Sequence, residues 1–152
     1  MRPTIARSVA RTEELSPLHF LDTNILLYSI SREPGEAVKR DRAIDLLARD
    51  DGALSVQVLQ EFYVQATRPN RPVPLPHEIA AGLIRTWTRF RVQEIDLDIL
   101  SAALEIKATH RFSYWDSAII AAARALGCRE LYSEDMAHGR RIGSTTIINP
   151  FR

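Results

Sequence analysis

Apolar positions along the chain alternate between short continuous runs and stretches with a period near 3.6, the signature of strands alternating with helices. Leu18 to Leu21 is a run too short to bury itself as a helix. It ends at Asp22-Thr23-Asn24, where the period changes and a side-chain oxygen is available to cap a helix over Ile25 to Ile30. After the break at Glu33-Pro34-Gly35, a helix resumes over Ala37 to Arg49 with Ala43, Leu46 and Leu47 at helical spacing. Asp50-Asp51-Gly52 stops it. Ala53-Leu54-Ser55 reads as a second strand, with Ser55 available to cap the helix Val56 to Thr67, whose stripe Val58, Leu59 and Phe62 leaves Glu61 at its edge.

Arg68-Pro69-Asn70-Arg71-Pro72-Val73-Pro74-Leu75-Pro76 is too rich in proline to continue a helix and reads as an extended connector. An amphipathic helix follows from His77 to Phe90 through Ile79, Leu83, Ile84 and Trp87; a third strand over Arg91 to Ile95 and a helix over Leu97 to His110 come next. Phe112 to Leu126 is a helix with small residues suited to close packing, stopped by Gly127 as a C-terminal glycine. Glu130 to Ser133 is a fourth strand, and the β-branched run Thr145 to Ile148 a fifth, closed by Asn149-Pro150. The chain holds neither internal repeats nor low-complexity tracts. Repeated strand–helix units predict an α/β fold with a parallel sheet.

Composition narrows the function classes. A chain of 152 residues suits one domain, and 45% apolar with 26% charged residues is ordinary for a soluble globule. No apolar run approaches the roughly 20 residues a membrane span needs. The single cysteine, Cys128, excludes an internal disulfide and a zinc cluster and favours a reducing, cytoplasmic setting. Residues 1–17 have no hydrophobic core of a signal peptide and read as a poorly ordered arm before the domain at 18–152. A net charge of +1 does not announce a nucleic-acid binder, although all the basic residues except Lys39 and Lys107 are arginines, which grip phosphate in bidentate fashion.

The chemistry lies in acids that share one address. Asp22, Glu61 and Asp135 each follow a predicted strand or lie on the helix after one, and Asp116 opens the helix leading to strand four. Right-handed crossovers put all the carboxyl ends of a parallel sheet on one edge, where open α/β sheets place ligands. Two carboxylates about 4 Å apart repel by roughly 4 kcal/mol at an effective dielectric near 20, so a cation is the natural occupant. Hard oxygen donors suit Mg2+ or Mn2+, with Thr23 and Ser133 adding hydroxyls; such a site fits phosphodiester hydrolysis by an activated water. The competing structural readings are that Asp22 only caps a helix and that Asp116 only complements a helix dipole. His138 reads as a surface residue.

Phe20-Leu21-Asp22-Thr23-Asn24-Ile25-Leu26, Leu59-Gln60-Glu61-Phe62, Tyr114-Trp115-Asp116-Ser117-Ala118-Ile119, Leu131-Tyr132-Ser133-Glu134-Asp135 and the ending Ile148-Asn149-Pro150-Phe151 together resemble a PIN-domain ribonuclease of the VapC toxin type. The resemblance covers Leu18 to the C-terminus. It implies a three-layer α/β/α fold with a central five-stranded parallel sheet in the order 3-2-1-4-5. It also implies Mg2+- or Mn2+-dependent cleavage of RNA, a homodimer, and a cognate VapB antitoxin that blocks the site. The family's acidic quartet falls on Asp22, Glu61, Asp116 and Asp135, with Thr23, Asn24 and Ser133 in support. Asp135 is preferred over the adjacent Glu134 because the family's acid stands two residues beyond a Ser or Thr.

Rival readings are weaker. A haloacid-dehalogenase enzyme wants a second aspartate where Asn24 stands, and a response-regulator domain wants a lysine after a late strand, whereas Lys107 lies mid-helix. A PIN-like RNA- or protein-binding module without catalysis is the alternative, though it would be favoured by loss of an acid, and all four are present. Arg68, Arg71, Arg85, Arg89 and Arg91 are candidate RNA contacts beside the cleft. Solvated surface is their plainer reading, since no basic stripe accompanies them. Trp87 and Trp115 read as core or interface residues.

Overall fold

A computed structural model describes residues 18–152, so the expected arm at 1–17 lies outside the described residues. Six strands form one sheet: β1 (His19–Leu21), β2 (Gly52–Ser55), β3 (Arg91–Gln93), β4 (Glu130–Tyr132), β5 (Arg141–Ile142) and β6 (Thr145–Ile148), in the order β3-β2-β1-β4-β6-β5. The five expected strands keep their order and run parallel, the fifth of them being β6. The two-residue β5 was not among the expected strands. It pairs antiparallel with β6 and makes the sheet mixed. Gly143-Ser144 joins the two, with Gly143 at φ 61°, a left-handed conformation that hairpin turns demand and glycine adopts without strain.

The helices are α1 (Thr23–Ser29), α2 (Ala37–Leu47), α3 (Val56–Thr67), α4 (His77–Trp87), α5 (Leu97–His110) and α6 (Tyr114–Ala125). The crossovers from β1 to β2 and β2 to β3 move one way along the sheet and lay α1 to α4 against each other on one face. The return from β3 to β4 lays α5 and α6 on the opposite face. The result is the three-layer α/β/α arrangement. α6 is apolar nearly all round because its residues Ser117 to Ala123 are all buried between α5 and the sheet.

Caps fix the entries of the helices that matter. Ser55 accepts from Val58 N at 3.3 Å, Asp96 from Ile99 N at 2.9 Å, and Ser113 from Asp116 N at 3.1 Å. Gly127, at φ 71°, ends α6 as expected. The core runs through Phe20, Leu54, Phe62, Ile120, Leu131 and Ile147, with Trp87 set edge-on to Phe62 at 4.8 Å between centroids. Ile79, expected on the inward stripe of α4, is exposed instead, and Ala80 takes the buried position.

Candidate active site

β1 is a central strand, flanked by β2 and β4, and it is extended one residue past its end when Asp22 N donates to Tyr132 O at 3.0 Å. Ser133 N likewise donates to Ile148 O at 2.9 Å. Asp22 and Ser133 are thereby set side by side at the carboxyl edge, and the Ser133 hydroxyl donates to Asp22 Oδ2 at 2.7 Å. Asp22 Oδ1 accepts from Thr23 N at 2.7 Å, so the residue does cap α1, yet capping uses only one of its oxygens.

The other acids are gathered by α3, α6 and the loop after β4. Thr23 Oγ1 donates to Glu61 Oε1 at 2.6 Å, and Gln57 Nε2 donates to Glu61 Oε2 at 3.1 Å. The same Gln57 amide reaches the Trp115 carbonyl at 3.1 Å, tying α3 to the first turn of α6, where Asp116 sits. Asn24 Nδ2 donates to Asp135 Oδ2 at 3.3 Å, while its carbonyl accepts from Glu134 N at 3.4 Å.

Glu134 is turned away from this group. Lys39 Nζ and the Tyr28 hydroxyl both donate to it, and although burial works against its charge, these bonds hold its carboxyl below the ordinary glutamate value. Asp135 is left to bond Asn24.

Electrostatics distinguishes the site from ordinary surface. Asp22 is almost wholly buried, and that burial pushes its pKa up to about 6; the bonds from Ser133 and Thr23 pull it down, and the charges of Glu61 and Asp116 add to the rise. Asp116 is raised by burial first, then by Glu61 and Asp135, with Ser113 opposing. Among the described residues no lysine, arginine or histidine forms an ion pair with Asp22, Glu61, Asp116 or Asp135. Negative charge is concentrated here without a counter-charge from the described residues.

The donors fit a hard divalent cation, being carboxylate, hydroxyl and amide oxygens without nitrogen or sulfur. Among the described residues no three acid, histidine or cysteine side chains close into a ready coordination cage. Mg2+ keeps several of its waters and needs only one or two direct carboxylates, so the expected cation does not call for such a cage. His138 stands apart, its Nδ1 accepting from Asn149 N at 2.9 Å in the C-terminal turn.

On the Asp135 side a cavity of about 350 Å3 is lined by Asn24, Tyr28, Arg32, Arg71, Glu134 and Asp135. Arg71 thus shares a wall with the acids. Arg68 and Arg85 are exposed. Arg89 donates to Leu47 O at the end of α2 and covers the Phe90 ring at 4.1 Å, and Arg91 opens β3; both sit toward the amino edge, across the sheet from the acids.

Sequence reasoning missed Gln57, although its position four residues before Glu61 on one helix face was a usable signal. It also missed Arg32 and the Lys39–Tyr28–Glu134 cluster. These join residues far apart in the chain and leave no local trace.

The PIN-domain family model matches residues 19–141. Comparison with curated proteins returned no match. Among solved structures, VapC20 of Mycobacterium tuberculosis, a sarcin-ricin-loop-cleaving toxin, is similar at 24% identity and TM-score 0.61, over 77% of this chain and 89% of that one. A toxin–antitoxin complex from Klebsiella pneumoniae matches at 19% identity and TM-score 0.65, over 87% and 97%. VapBC2 from Rickettsia felis, bound to a fragment of its promoter DNA, matches at 18% identity and TM-score 0.60, over 86% and 96%. At these identities the likenesses speak for the fold. The family match spans most of the chain and agrees with the strand order: the chain belongs to the PIN-domain family.

Proposed function

We propose that this PIN domain is a VapC-type toxin of a type II toxin–antitoxin pair, an endoribonuclease that hydrolyses RNA phosphodiester bonds with Mg2+ or Mn2+. The observation that carries the reading is a buried Asp22 at the tip of the central strand, its charge disfavoured by burial and by two neighbouring acids, with no protein cation paired to it among the described residues. Asp22 and Asp116 are the direct metal ligands in this reading, and Glu61 and Asp135 complete the coordination directly or through water. These residues would hold a divalent cation, which would supply water activation and charge stabilisation at the phosphate.

The chain's own residues supply the rest. Ser133 and Thr23 N hold both Asp22 oxygens in fixed directions. Thr23 and Gln57 orient Glu61, and Asn24 steadies Asp135. Arg71, on the wall of the adjoining cavity, is placed to meet a flanking phosphate. An apolar groove between α3 and α4, lined by Leu59, Tyr63, Val64 and Ile84, supports the expectation of protein partners. Those partners are a second copy of the chain and a VapB-type antitoxin, in a cytoplasmic setting.

The test is incubation of the purified protein, free of antitoxin, with total RNA and Mn2+, followed by mapping of the ends produced. Defined breaks that require the cation and vanish in Asp22→Asn and Asp116→Asn are expected. Intact RNA under all conditions overturns the nuclease reading in favour of a binding module.

A further inference from the structure

Two tryptophans in this chain have opposite fates. Trp87 is 5% exposed and sunk against Phe62, whereas Trp115, one residue before Asp116, is 64% exposed. Packing does not account for an indole left in water beside a cleft of carboxylates. The ring is nonetheless steadied. Tyr114 meets it edge to face, with centroids 5.0 Å apart and planes at 77°. The Trp115 carbonyl accepts from the Gln57 amide that also holds Glu61. One strut therefore ties the backbone that carries the exposed ring to an acid of the site.

Beyond the ring an open groove of about 320 Å3 runs along α3, edged by Gln60, Glu61, Val64 and Gln65, with no lysine or arginine among its lining residues. A groove whose described lining offers no cation is not built for phosphate. An aromatic face flanked by amide side chains suits an unstacked base, since every base has a π-face and amides donate to and accept from base edges. The cavity on the Asp135 side of the acids carries Arg71 and Arg32, beside Glu33 and Glu36, so guanidinium donors for a strand's phosphates lie on that side and the aromatic face on the other.

We propose that Trp115 is a stacking platform for a nucleobase of single-stranded RNA, with Gln60 and Gln65 facing the base edge. The proposal rests on the RNA-cleaving reading above and adds how the substrate is gripped. Stacking on an aromatic residue, measured by alanine substitution, corresponds to roughly a 5- to 150-fold change in affinity.

The probes are unstructured eight-nucleotide oligoribonucleotides of uridine and of adenosine, with Mn2+. Trp115→Ala should melt like the parent, raise KM by about 5- to 150-fold and change kcat far less, and Trp115→Phe should restore most of the loss. In the Asp22→Asn protein, expected to hold RNA without cutting it, the same oligonucleotides should quench indole emission. Adding Trp115→Phe should abolish that quenching, because Trp87 is sealed in the core. An actively cleaving Trp115→Ala protein with unchanged KM overturns the platform and leaves the nuclease reading standing. So does a Trp115→Ala protein whose sedimentation mass changes while its RNA affinity does not, which marks a protein interface. A parent protein that neither cuts nor binds these RNAs overturns both, and the parent alone reveals it.

Discussion

Asp22→Asn should make the metal-free protein more stable at neutral pH while abolishing its activity. The Asp22 carboxyl is raised from 3.8 to about 6, chiefly by burial, so the folded state binds its proton more tightly than the unfolded chain does. Between those values the native state holds more protons, and stability therefore falls as pH rises from about 4 through about 6 and stays low above it. At about 1.4 kcal/mol per factor of ten, keeping this charge buried at pH 7.5 costs about 3 kcal/mol. Asparagine approximates the protonated acid in shape: its carbonyl still accepts from Thr23 N, and its amide can donate to the Ser133 oxygen. The variant should then gain up to about 3 kcal/mol in EDTA, or roughly 6 to 12 °C in melting temperature for a domain of this size. Thermal unfolding in EDTA from pH 4 to pH 8 measures it. The gain should shrink toward zero as pH approaches 4. A variant less stable than the parent at pH 7.5, or a difference independent of pH, would refute the reasoning that burial of this charge is a net cost.

Mg2+ or Mn2+ at a hundredfold excess over its dissociation constant should stabilise the parent by about 2.7 kcal/mol and Asp22→Asn far less; differential scanning fluorimetry with both cations reads this, and a flat titration counts against a metal site. The benefit should fade below about pH 6, where protons compete for Asp22. Ser133→Ala removes a donor to a buried carboxylate, so Asp22 should rise further, moving the acid limb of the pH–rate profile to higher pH; stability at pH 7.5 should fall by about 1 to 3 kcal/mol. Phe62→Ala, at a fully buried site under Trp87, should cost about 3 to 5 kcal/mol in urea unfolding.

Much of the site is legible in the chain because its signals are local. A change of hydrophobic period at Asp22-Thr23-Asn24, the serine at position 55 before a helix, and the stripe that leaves Glu61 at its margin act within a turn or two and survive in a linear reading. Right-handed crossovers then place Asp22, Glu61, Asp116 and Asp135 on one sheet edge. The Gly143-Ser144 turn was also written in the sequence, since two such residues between β-branched or aliphatic neighbours signal a hairpin, yet a two-residue strand is too short to show a period.

Tertiary structure decided what depends on which distant residues meet. Glu134 and Asp135 are adjacent and both acidic; only Lys39 and Tyr28, brought up by α2 and α1, take the first and leave the second to Asn24. Trp87 and Trp115 each sit on a helix, but one meets Phe62 and the other meets water. Arg71 and Arg89 belong to one arginine-rich stretch, yet α4 runs back against the direction of the strands, so one stands beside the acids and the other clasps Leu47 O at the far edge. Local propensity sets where elements begin and end, whereas the direction in which each element crosses the sheet sets which side chains share a cleft.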